Sequence, residues 1–298
     1  MFAKRLGDDS LVIGAPAKIN LFLQVLEKRA DGYHNISSAF QAVSLFDRLS
    51  FRIVETPTCT LKLKNRSNLS VGPDNLVVRA CRMMREEFGL NKGIEVELEK
   101  NIPIAAGLGG GSADAAATLK ACNLLFGLGL SRKELADLGL RLGSDVPFFF
   151  GAGQALVAGR GECVDDIELP TDYWLVLVNP AVAVSTAESY ASLKRSLTES
   201  REGIKFVGCR KVDDLVVFLS LSGNDFEKFH LETFPRHKKI RDGLLRLGAK
   251  LVRMSGTGPT FFGVFEQYPG EELSGHFVGE NWQVYTVRPI TLPSQAIA

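Results

Sequence analysis

The sequence lacks a dominant charge. Its 298 residues include 35 basic and 34 acidic side chains, which leaves a net charge of +1. The composition therefore excludes a broad positive electrostatic potential that would attract nucleic acid or an anionic membrane. No apolar run approaches the roughly 20 residues of a membrane helix, and residues 1–10 are too short and too mixed in charge for a signal peptide. We expect a cytoplasmic protein with neither nucleic acid nor membrane as a partner.

Paired cysteines and metal-binding patterns are also missing. The five cysteines are Cys59, Cys81, Cys122, Cys163 and Cys209. Their odd number and the absence of a C-x-x-C pair argue against a zinc or redox motif and favour reduced thiols. The isolated histidines, His230, His237 and His276, have no metal-ligand spacing, so we interpret them as structural or exposed.

What the chain does have is enough apolar sequence for two cores. Hydrophobic residues make up 45% and charged residues 23%, which is typical of globular proteins. A chain of this length predicts two domains. Because an acidic stretch and Pro170 precede a buried-strand pattern at 173–180, we expect domains at 1–170 and 171–298.

The first domain is predicted to be rich in strands. Apolar or alternating patterns predict strands at 11–27, 48–55, 60–64 and 94–99, and helical spacing predicts a helix at 74–88. A second helix should begin near Ser112, whose side chain can cap its first turn, and a third should open with the capping box Ser131 to Glu134.

The second domain is predicted to contain both helices and strands. Helices are expected at 186–195, 211–221 and 236–247, and strands at 260–266 and 282–288. Together the two halves predict an α+β fold.

The segment with the strongest functional signal is a glycine cluster between a strand and an alanine-rich helix. It contains Pro103, Gly107, Leu108, Gly109, Gly110, Gly111 and Ser112. Glycines let backbone amides approach a ligand, and a helix N-terminus adds donors and a positive dipole, so the arrangement favours a phosphate. The cluster lacks the Gly-Lys-Ser/Thr sequence that ends a P-loop. It also does not fit the G-x-G-x-x-G spacing of a dinucleotide-binding fold. A flexible turn is the alternative.

A second glycine turn contains Gly256, Thr257 and Gly258. By itself it fits a plain hairpin turn equally well. If it lies near the first turn, it could close over a triphosphate from the other side.

Two charged residues interrupt apolar segments. In a strand, Lys18 and Asn20 project from the same face, and a buried lysine needs an anionic partner; an edge lysine that reaches solvent is the alternative. Asp145 precedes the apolar run 146–150, where it is either a functional carboxylate or a helix cap. Tyr33 and His34 lie in a turn after the long strand, where Tyr33 either stacks on a base or packs the turn.

These residues together resemble the GHMP kinases. The resemblance is carried by PAKINLFLQV (16–25), PIAAGLGGGSADAAA (103–117), LGSDVPFF (142–149) and SGTGPTFF (255–262). RADGYHNI (29–36) and NDFE (224–227) are similar to the branch that phosphorylates the 2-hydroxyl of a cytidine-diphosphate-linked sugar alcohol for isoprenoid synthesis. The resemblance implies an N-terminal domain like ribosomal protein S5 domain 2 and a ferredoxin-like C-terminal domain, with the site between them.

The resemblance also implies roles for individual residues. Lys18 and Asp145 match the catalytic pair, and the stretch from Gly107 to Ser112 matches the ATP phosphate loop. Asn75, like Pro103, matches a nucleotide contact. The positions that match substrate contacts are Asn20, Tyr33, His34, Thr186 and Tyr190.

We expect Asp145 to act as the base or orienting group for the attacking hydroxyl, and Lys18 to offset charge on the transferred phosphoryl group. Mg²⁺ would be held mainly by phosphates, Ser112 and water. The partners would then be ATP and the cytidyl substrate. The expected oligomeric state is a monomer or weak homodimer.

Two alternatives stay open at this stage. The acceptor could instead be mevalonate, homoserine or a sugar. An RNA-binding or scaffold protein is the alternative of another class, because fold alone does not establish function.

Overall fold

The computed structural model describes residues 1–65, 68–182, 184, 186–193, 203, 204, 206, 208–270, 277 and 281–293, without the side chains of Thr186 and Ala187. Within these residues two sheets and their helices form an α+β fold, as predicted. The strands are β1 (Phe2–Gly7), β2 (Ser10–Lys28), β3 (His34–Val54), β4 (Cys59–Leu63), β5 (Gly93–Glu99), β6 (Gln154–Gly159), β7 (Cys163–Asp166), β8 (Trp174–Asn179), β9 (Leu251–Met254), β10 (Phe261–Phe265) and β11 (Gln283–Val287). The helices are α1 (Leu76–Phe88), α2 (Gly110–Leu125), α3 (Arg132–Leu140), α4 (Thr186–Ser192), α5 (Val212–Ser222), α6 (Glu227–Thr233) and α7 (Pro235–Arg246), with a 3₁₀ turn at Pro147–Phe150.

The first sheet is built around the long antiparallel pair β2 and β3. Its order is β1-β2-β3-β5-β4, and the first part of β3 pairs with β6, which continues to β7. The sequence predicted only the end of β3, at 48–55. Its earlier part carries buried polar residues, such as Ser38 and Gln41, which hydrogen-bond inside the protein. Those residues break the apolar pattern on which the prediction depended.

The second sheet has the order β11-β8-β10-β9, and every neighbouring pair is antiparallel. This is the 4-1-3-2 strand order of a ferredoxin-like sheet. Its central strand β8 is almost wholly buried, which is the reason its continuous apolar run identified it in the sequence. None of the helices in the described ranges is long and apolar enough to cross a membrane.

The start of α2 differs from the prediction. The helix begins at Gly110, two residues before Ser112, and its N-cap is Gly109 with φ 67°. The expectation that Ser112 caps the helix is wrong, because the left-handed glycine ends the loop earlier and places Ser112 inside the first turn. The capping box of α3 is confirmed: the Ser131 side chain accepts from the Glu134 amide, and the Glu134 carboxylate accepts from the Ser131 amide.

The strands that carry the candidate site are hydrogen-bonded to segments of the second half of the chain. The amide of Leu23 in β2 donates to Gly223 at 3.0 Å, and the amide of Ile290 donates to Ala42 in β3 at 2.9 Å. The first sheet uses strands from residues 2–166 and the second uses strands from residues 174–287. The domain boundary near residue 170 stays a prediction.

Candidate active site

The first glycine segment forms a tight loop between β5 and α2. Gly107 and Gly109 have φ angles of 74° and 67°, which favour glycine. A Cβ on Gly107 would lie 2.2 Å from the carbonyl oxygen of Ser255, and one on Gly109 would lie 2.8 Å from Lys18 Cγ. The loop therefore needs bare backbone at both positions. Because a glycine N-cap offers no side chain, the amides of the first turn of α2 are left for an anion.

This loop borders a cavity of about 420 Å³. All eight residues predicted to bind ATP line it: Asn75, Pro103, Gly107, Leu108, Gly109, Gly110, Gly111 and Ser112. Asn75 is also the N-cap of α1, where its side chain accepts from the Val77 amide at 2.9 Å and donates to the Ser70 carbonyl at 2.7 Å. Nucleotide contact at these positions stays a prediction.

The second glycine turn lies against the first. The Ser255 hydroxyl donates to the Gly107 carbonyl at 2.8 Å and accepts from the Asn20 amide at 3.1 Å. The side-chain amide of Asn224 donates to the carbonyls of Met254 and Gly256, both at 2.8 Å. Ser255 and Asn224 thus link the two turns and β2, a role that sequence reasoning missed. The proposed closure of Gly256, Thr257 and Gly258 over a triphosphate stays a prediction.

Lys18 and Asp145 meet beside the first glycine loop. Lys18 Nζ lies 3.2 Å from Asp145 Oδ2, donates to Asn20 Oδ1 at 2.6 Å and sits 4.4 Å from the centre of the Phe40 ring. The Lys18 side chain is 4% exposed and that of Asp145 is 32% exposed. The alternative of an edge lysine reaching solvent is therefore wrong, and the Asp145 carboxylate has a charged partner.

The pair is held in place by its surroundings. The Lys18 amide donates to the Leu108 carbonyl at 2.9 Å, so the strand and the glycine loop are directly joined. The Asn20 side-chain amide donates to Ser38 at 3.0 Å, which orients its oxygen towards Lys18. Phe40, which contributes the aromatic face below the ammonium group, had no signal in the sequence beyond its position in an apolar segment. The arrangement offers a carboxylate that can accept or orient a hydroxyl proton next to a fixed cation.

Two of the predicted substrate residues stack on each other. The rings of His34 and Tyr190 are 5.5 Å apart with an interplanar angle of 25°, and Tyr190 meets Phe226 edge-on at 4.9 Å. Burial raises the pKa of Tyr190, and the charge of Asp145 adds to the effect. Tyr190 therefore lies close enough to Asp145 to feel its charge. Tertiary contact brings His34, Tyr190 and Phe226 together from distant parts of the chain.

The other predicted substrate residues are placed differently. Tyr33 is 59% exposed and lies under the Arg160 guanidinium at 4.8 Å. Thr186 begins α4, but its side chain lies outside the described part of the chain. No pattern in the sequence singles out Arg160, because only the fold brings this residue, which follows β6, beside the Tyr33 turn.

A buried polar cluster lies behind the second glycine turn. Ser189 Oγ is 3.3 Å from His230 Nε2, and His230 Nδ1 is 3.2 Å from His237 Nδ1. Burial lowers the pKa of both histidines to about 4. His230 and His237 are both buried, so the exposed alternative is wrong for them and the structural interpretation stays a prediction, whereas His276 lies outside the described residues.

A second buried lysine, Lys100, lines the floor of the cavity. Its Nζ lies 2.7 Å from Asp114 Oδ2 and also contacts Asp47. Burial raises the pKa of Asp114 to about 8, with Lys100 opposing and Asp47 adding to the shift. Burial lowers the pKa of Lys100, but Asp114 and Asp47 outweigh it and raise the pKa overall. Since two carboxyl groups share one ammonium, protonation of Asp114 leaves the cluster neutral.

A magnesium ion would have to rely on few protein ligands. Among the described residues, no group of three or more histidine, cysteine, aspartate or glutamate side chains is arranged to hold a metal. One oxygen donor is nevertheless present in the cavity beside the glycine loop, namely the Ser112 hydroxyl. A site with few protein ligands can suit Mg²⁺, which commonly retains water and binds substrate phosphates.

The glycine loop, the lysine–aspartate pair and the ferredoxin-like second sheet define a small-molecule kinase. Sequence comparison agrees: the GHMP kinases N terminal domain matches residues 75–153 and the GHMP kinases C terminal domain matches residues 211–277. The chain belongs to the GHMP kinase family and, within it, to the group named 4-diphosphocytidyl-2-C-methyl-D-erythritol kinase.

That assignment to a group follows from individual relatives. A protein of that name from Syntrophotalea carbinolica is 40% identical over 284 residues, which cover 93% of this chain and 98% of the relative. Another from Bacillus cereus is 39% identical and covers 93% of this chain and 96% of its own. A crystal structure of 4-(cytidine 5'-diphospho)-2C-methyl-D-erythritol kinase has a TM-score of 0.76 at 31% identity, covering 93% and 99% of the two chains.

A more distant structure shares the fold. Homoserine kinase from Cytophaga hutchinsonii has a TM-score of 0.71 at 19% identity, covering 99% of this chain and 98% of its own. At this identity the similarity concerns architecture alone.

Proposed function

We propose that this protein transfers the γ-phosphoryl group of ATP to the 2-hydroxyl of 4-diphosphocytidyl-2-C-methyl-D-erythritol, a step in the non-mevalonate route to isoprenoid precursors. The observation that carries the proposal is the Lys18–Asp145 ion pair of 3.2 Å beside the glycine loop, with the His34 and Tyr190 rings stacked within the electrostatic influence of Asp145. The names of relatives at about 40% identity supply the acceptor.

The polyphosphate is bound by backbone rather than by side-chain charge. Amides from Gly107 to the start of α2 at Gly110 would donate to the phosphate oxygens, with the helix dipole favouring negative charge. Asn75 and Pro103 would contact the rest of the nucleotide from the cavity wall. The second glycine turn would cover the opposite side.

The hydroxyl is oriented by Asp145. Its carboxylate is one-third exposed, so a substrate hydroxyl can reach it, and a positioned base contributes about 10²–10⁴-fold to the rate. Lys18 would hold that carboxylate in place and offset charge on the transferring group. Mg²⁺, bound by the phosphates, Ser112 and water, supplies neutralisation of phosphate charge.

The cytidyl group needs flat surfaces and polar edges. His34 and Tyr190 would supply the stacking surface, Asn20 and Thr186 would add polar contacts, and Tyr33 would close the outer side under Arg160. Aromatic residues around the acceptor favour this substrate over mevalonate, homoserine or a sugar, none of which carries a base. Membership of a kinase family likewise argues against the RNA-binding alternative.

The cellular location and the oligomeric state also stay proposals. We place the reaction in the cytoplasm, supported by the odd number of cysteines, and expect a monomer or weak homodimer.

A coupled assay tests the function. The protein is mixed with ATP, Mg²⁺ and either the cytidyl diphosphate alcohol, mevalonate or homoserine, and ADP release is followed, with Asp145→Asn as the matched control. We expect turnover only with the cytidyl substrate and its loss in the variant. Turnover of an acceptor without a base, at a rate equal to or above that of the cytidyl substrate, would contradict the proposal.

A further inference from the structure

A second cavity, of about 220 Å³, lies away from the glycine loops, between β4, α1, β5 and α2. Three cysteines from three elements line it: Cys59 at the start of β4, Cys81 in the middle of α1 and Cys122 in α2. Cys59 is partly accessible, whereas Cys81 and Cys122 are buried. The fold thus gathers three of the five thiols at one place and leaves one of them open to solvent.

The cavity is lined with positive charge. Arg82, Arg85 and Lys92 contribute to its wall, and of the described residues that line it none carries a carboxylate. Lys92 is paired with Glu55 at 2.9 Å and Arg85 donates to the Pro57 carbonyl. Arg82 makes no ion pair with any residue that the structure describes. A small anion entering the cavity would therefore meet a cation that is not held in an ion pair, although Glu86 and Glu87 line a neighbouring cavity with it.

The three thiols are not equivalent. A hydrogen bond from Cys81 lowers the pKa of Cys59 despite its burial, and the charges of Arg82 and Arg85 add to the effect. Contacts with Cys122 and Cys59, together with burial, raise the pKa of Cys81 well above its usual range. Because the thiolate is the nucleophilic form and Cys59 is the accessible member of the three, the assignment of the reactive thiol goes to Cys59.

We propose that Cys59 is a covalent modification site that forms a mixed disulfide with small disulfides carrying carboxylate groups. The Cys59 thiolate attacks one sulfur of the small disulfide. A bond forms between Cys59 Sγ and that sulfur, the original S–S bond breaks, and the other half leaves as a thiolate that takes a proton from water. The disulfide is the oxidant, and one of its two halves is reduced to a thiol.

The product should persist as the mixed disulfide. Release of the attached half would need a Cys81 thiolate to attack Cys59 Sγ, and burial together with the contact with Cys122 keeps Cys81 protonated. The arginines at the wall would meanwhile hold the carboxylates of the attached group.

The test compares two small disulfides of opposite charge. Protein carrying Cys163→Ser, which removes the exposed thiol, is incubated near neutral pH with oxidised glutathione or with cystamine, and Cys59 labelling is followed by peptide mass spectrometry. We expect oxidised glutathione to label Cys59 at least about tenfold faster. The difference between the two labelling rates should be smaller in the Arg82→Gln variant. Equal rates, or a faster reaction with cystamine, would overturn the proposal.

The pH profile of labelling tests the contact with Cys81. In Cys81→Ala the midpoint of the Cys59 labelling rate should move to higher pH, whereas Cys81→Ser, which keeps a donor, should stay near the parent protein. Kinase turnover of each variant reports folding. An unchanged midpoint in a folded Cys81→Ala protein would also overturn the assignment.

Discussion

Two of the lysines that the structure describes are buried, and their surroundings differ. Lys18 shares its charge with the Asn20 amide and with an Asp145 carboxylate that is one-third exposed. Lys100 lies between Asp47 and Asp114, both almost completely buried. Both lysines lie next to the glycine loop, yet only the first has a partner that a substrate can reach.

The difference separates a chemical role from a structural one. The free energy lost by desolvating a buried ion pair can exceed the free energy gained from its attraction. A role other than stability is therefore sought in what each pair contacts. The Asp47 carboxylate also accepts from the amides of Asn101 and Ile102, at 2.6 and 2.9 Å. Lys100 therefore fastens the loop before the glycine cluster to β3 and α2, while Lys18 presents a carboxylate to the cleft. Three predictions test this division, and another tests the aromatic pair of the candidate site.

The largest expected effect is on stability, in Lys100→Met. Removal of the cation leaves two buried carboxyl groups without their partner, and loss of one member of such a cluster costs about 3–5 kcal/mol. Chemical denaturation of the variant and the parent protein measures the difference in the free energy of unfolding. The double variant Lys100→Met with Asp114→Asn should recover part of the loss, and a loss below about 1 kcal/mol in the single variant would refute the structural role.

The next effect is on turnover, in Lys18→Ala and Asp145→Asn. Each should lower kcat by about 10²-fold or more, because each removes charge or proton transfer at the reacting hydroxyl. Asp145→Asn should change the free energy of unfolding by about 1 kcal/mol or less, since the carboxylate is partly exposed. Steady-state kinetics and denaturation on the same samples check both parts. Near parental turnover in both variants would remove the catalytic assignment.

A smaller effect is expected at the aromatic pair. Tyr190→Ala removes a stacking surface, and contacts of this kind are worth about 0.5–1.5 kcal/mol. KM for the cytidyl substrate should rise several-fold, with a smaller change in KM for ATP. Tyr190→Phe, which keeps the ring, serves as the matched control. An equal rise in both KM values would point to general disturbance of the cleft instead.

The last prediction is a pH dependence of stability due to Asp114. Its pKa is about 8 in the folded protein, with burial as the main cause, and about 4 when unfolded. The folded state therefore binds more protons between these values, so this group makes the protein less stable as pH rises from about 4 to about 8. The slope is at most about 1.4 kcal/mol per pH unit.

The measurement is the free energy of unfolding at several pH values for the parent protein and Asp114→Asn. The difference between the two isolates Asp114 from His230 and His237, whose lowered pKa values act in the opposite direction at lower pH. A constant difference over pH 5–8 would mean that Asp114 is ionised throughout.

Much of the fold and the candidate site could be predicted because the information is local. The strands at 11–27 and 94–99 and the capping box at Ser131 depend on neighbouring residues, and the structure confirms them. The glycine cluster from Gly107 to Gly111 was identifiable for the same reason: its backbone geometry requires glycine at particular positions.

Other features were decided only by the tertiary structure. The contact between Lys18 and Asp145, the stack of His34 on Tyr190 and the bridge from Ser255 to Gly107 join residues more than 100 positions apart. A local pattern shows that Lys18 needs an anion but not which one, because the cost of burying a charge depends on the whole environment. The same holds for Lys100 and for the thiols around Cys59, whose partners come from separate elements that only packing brings together.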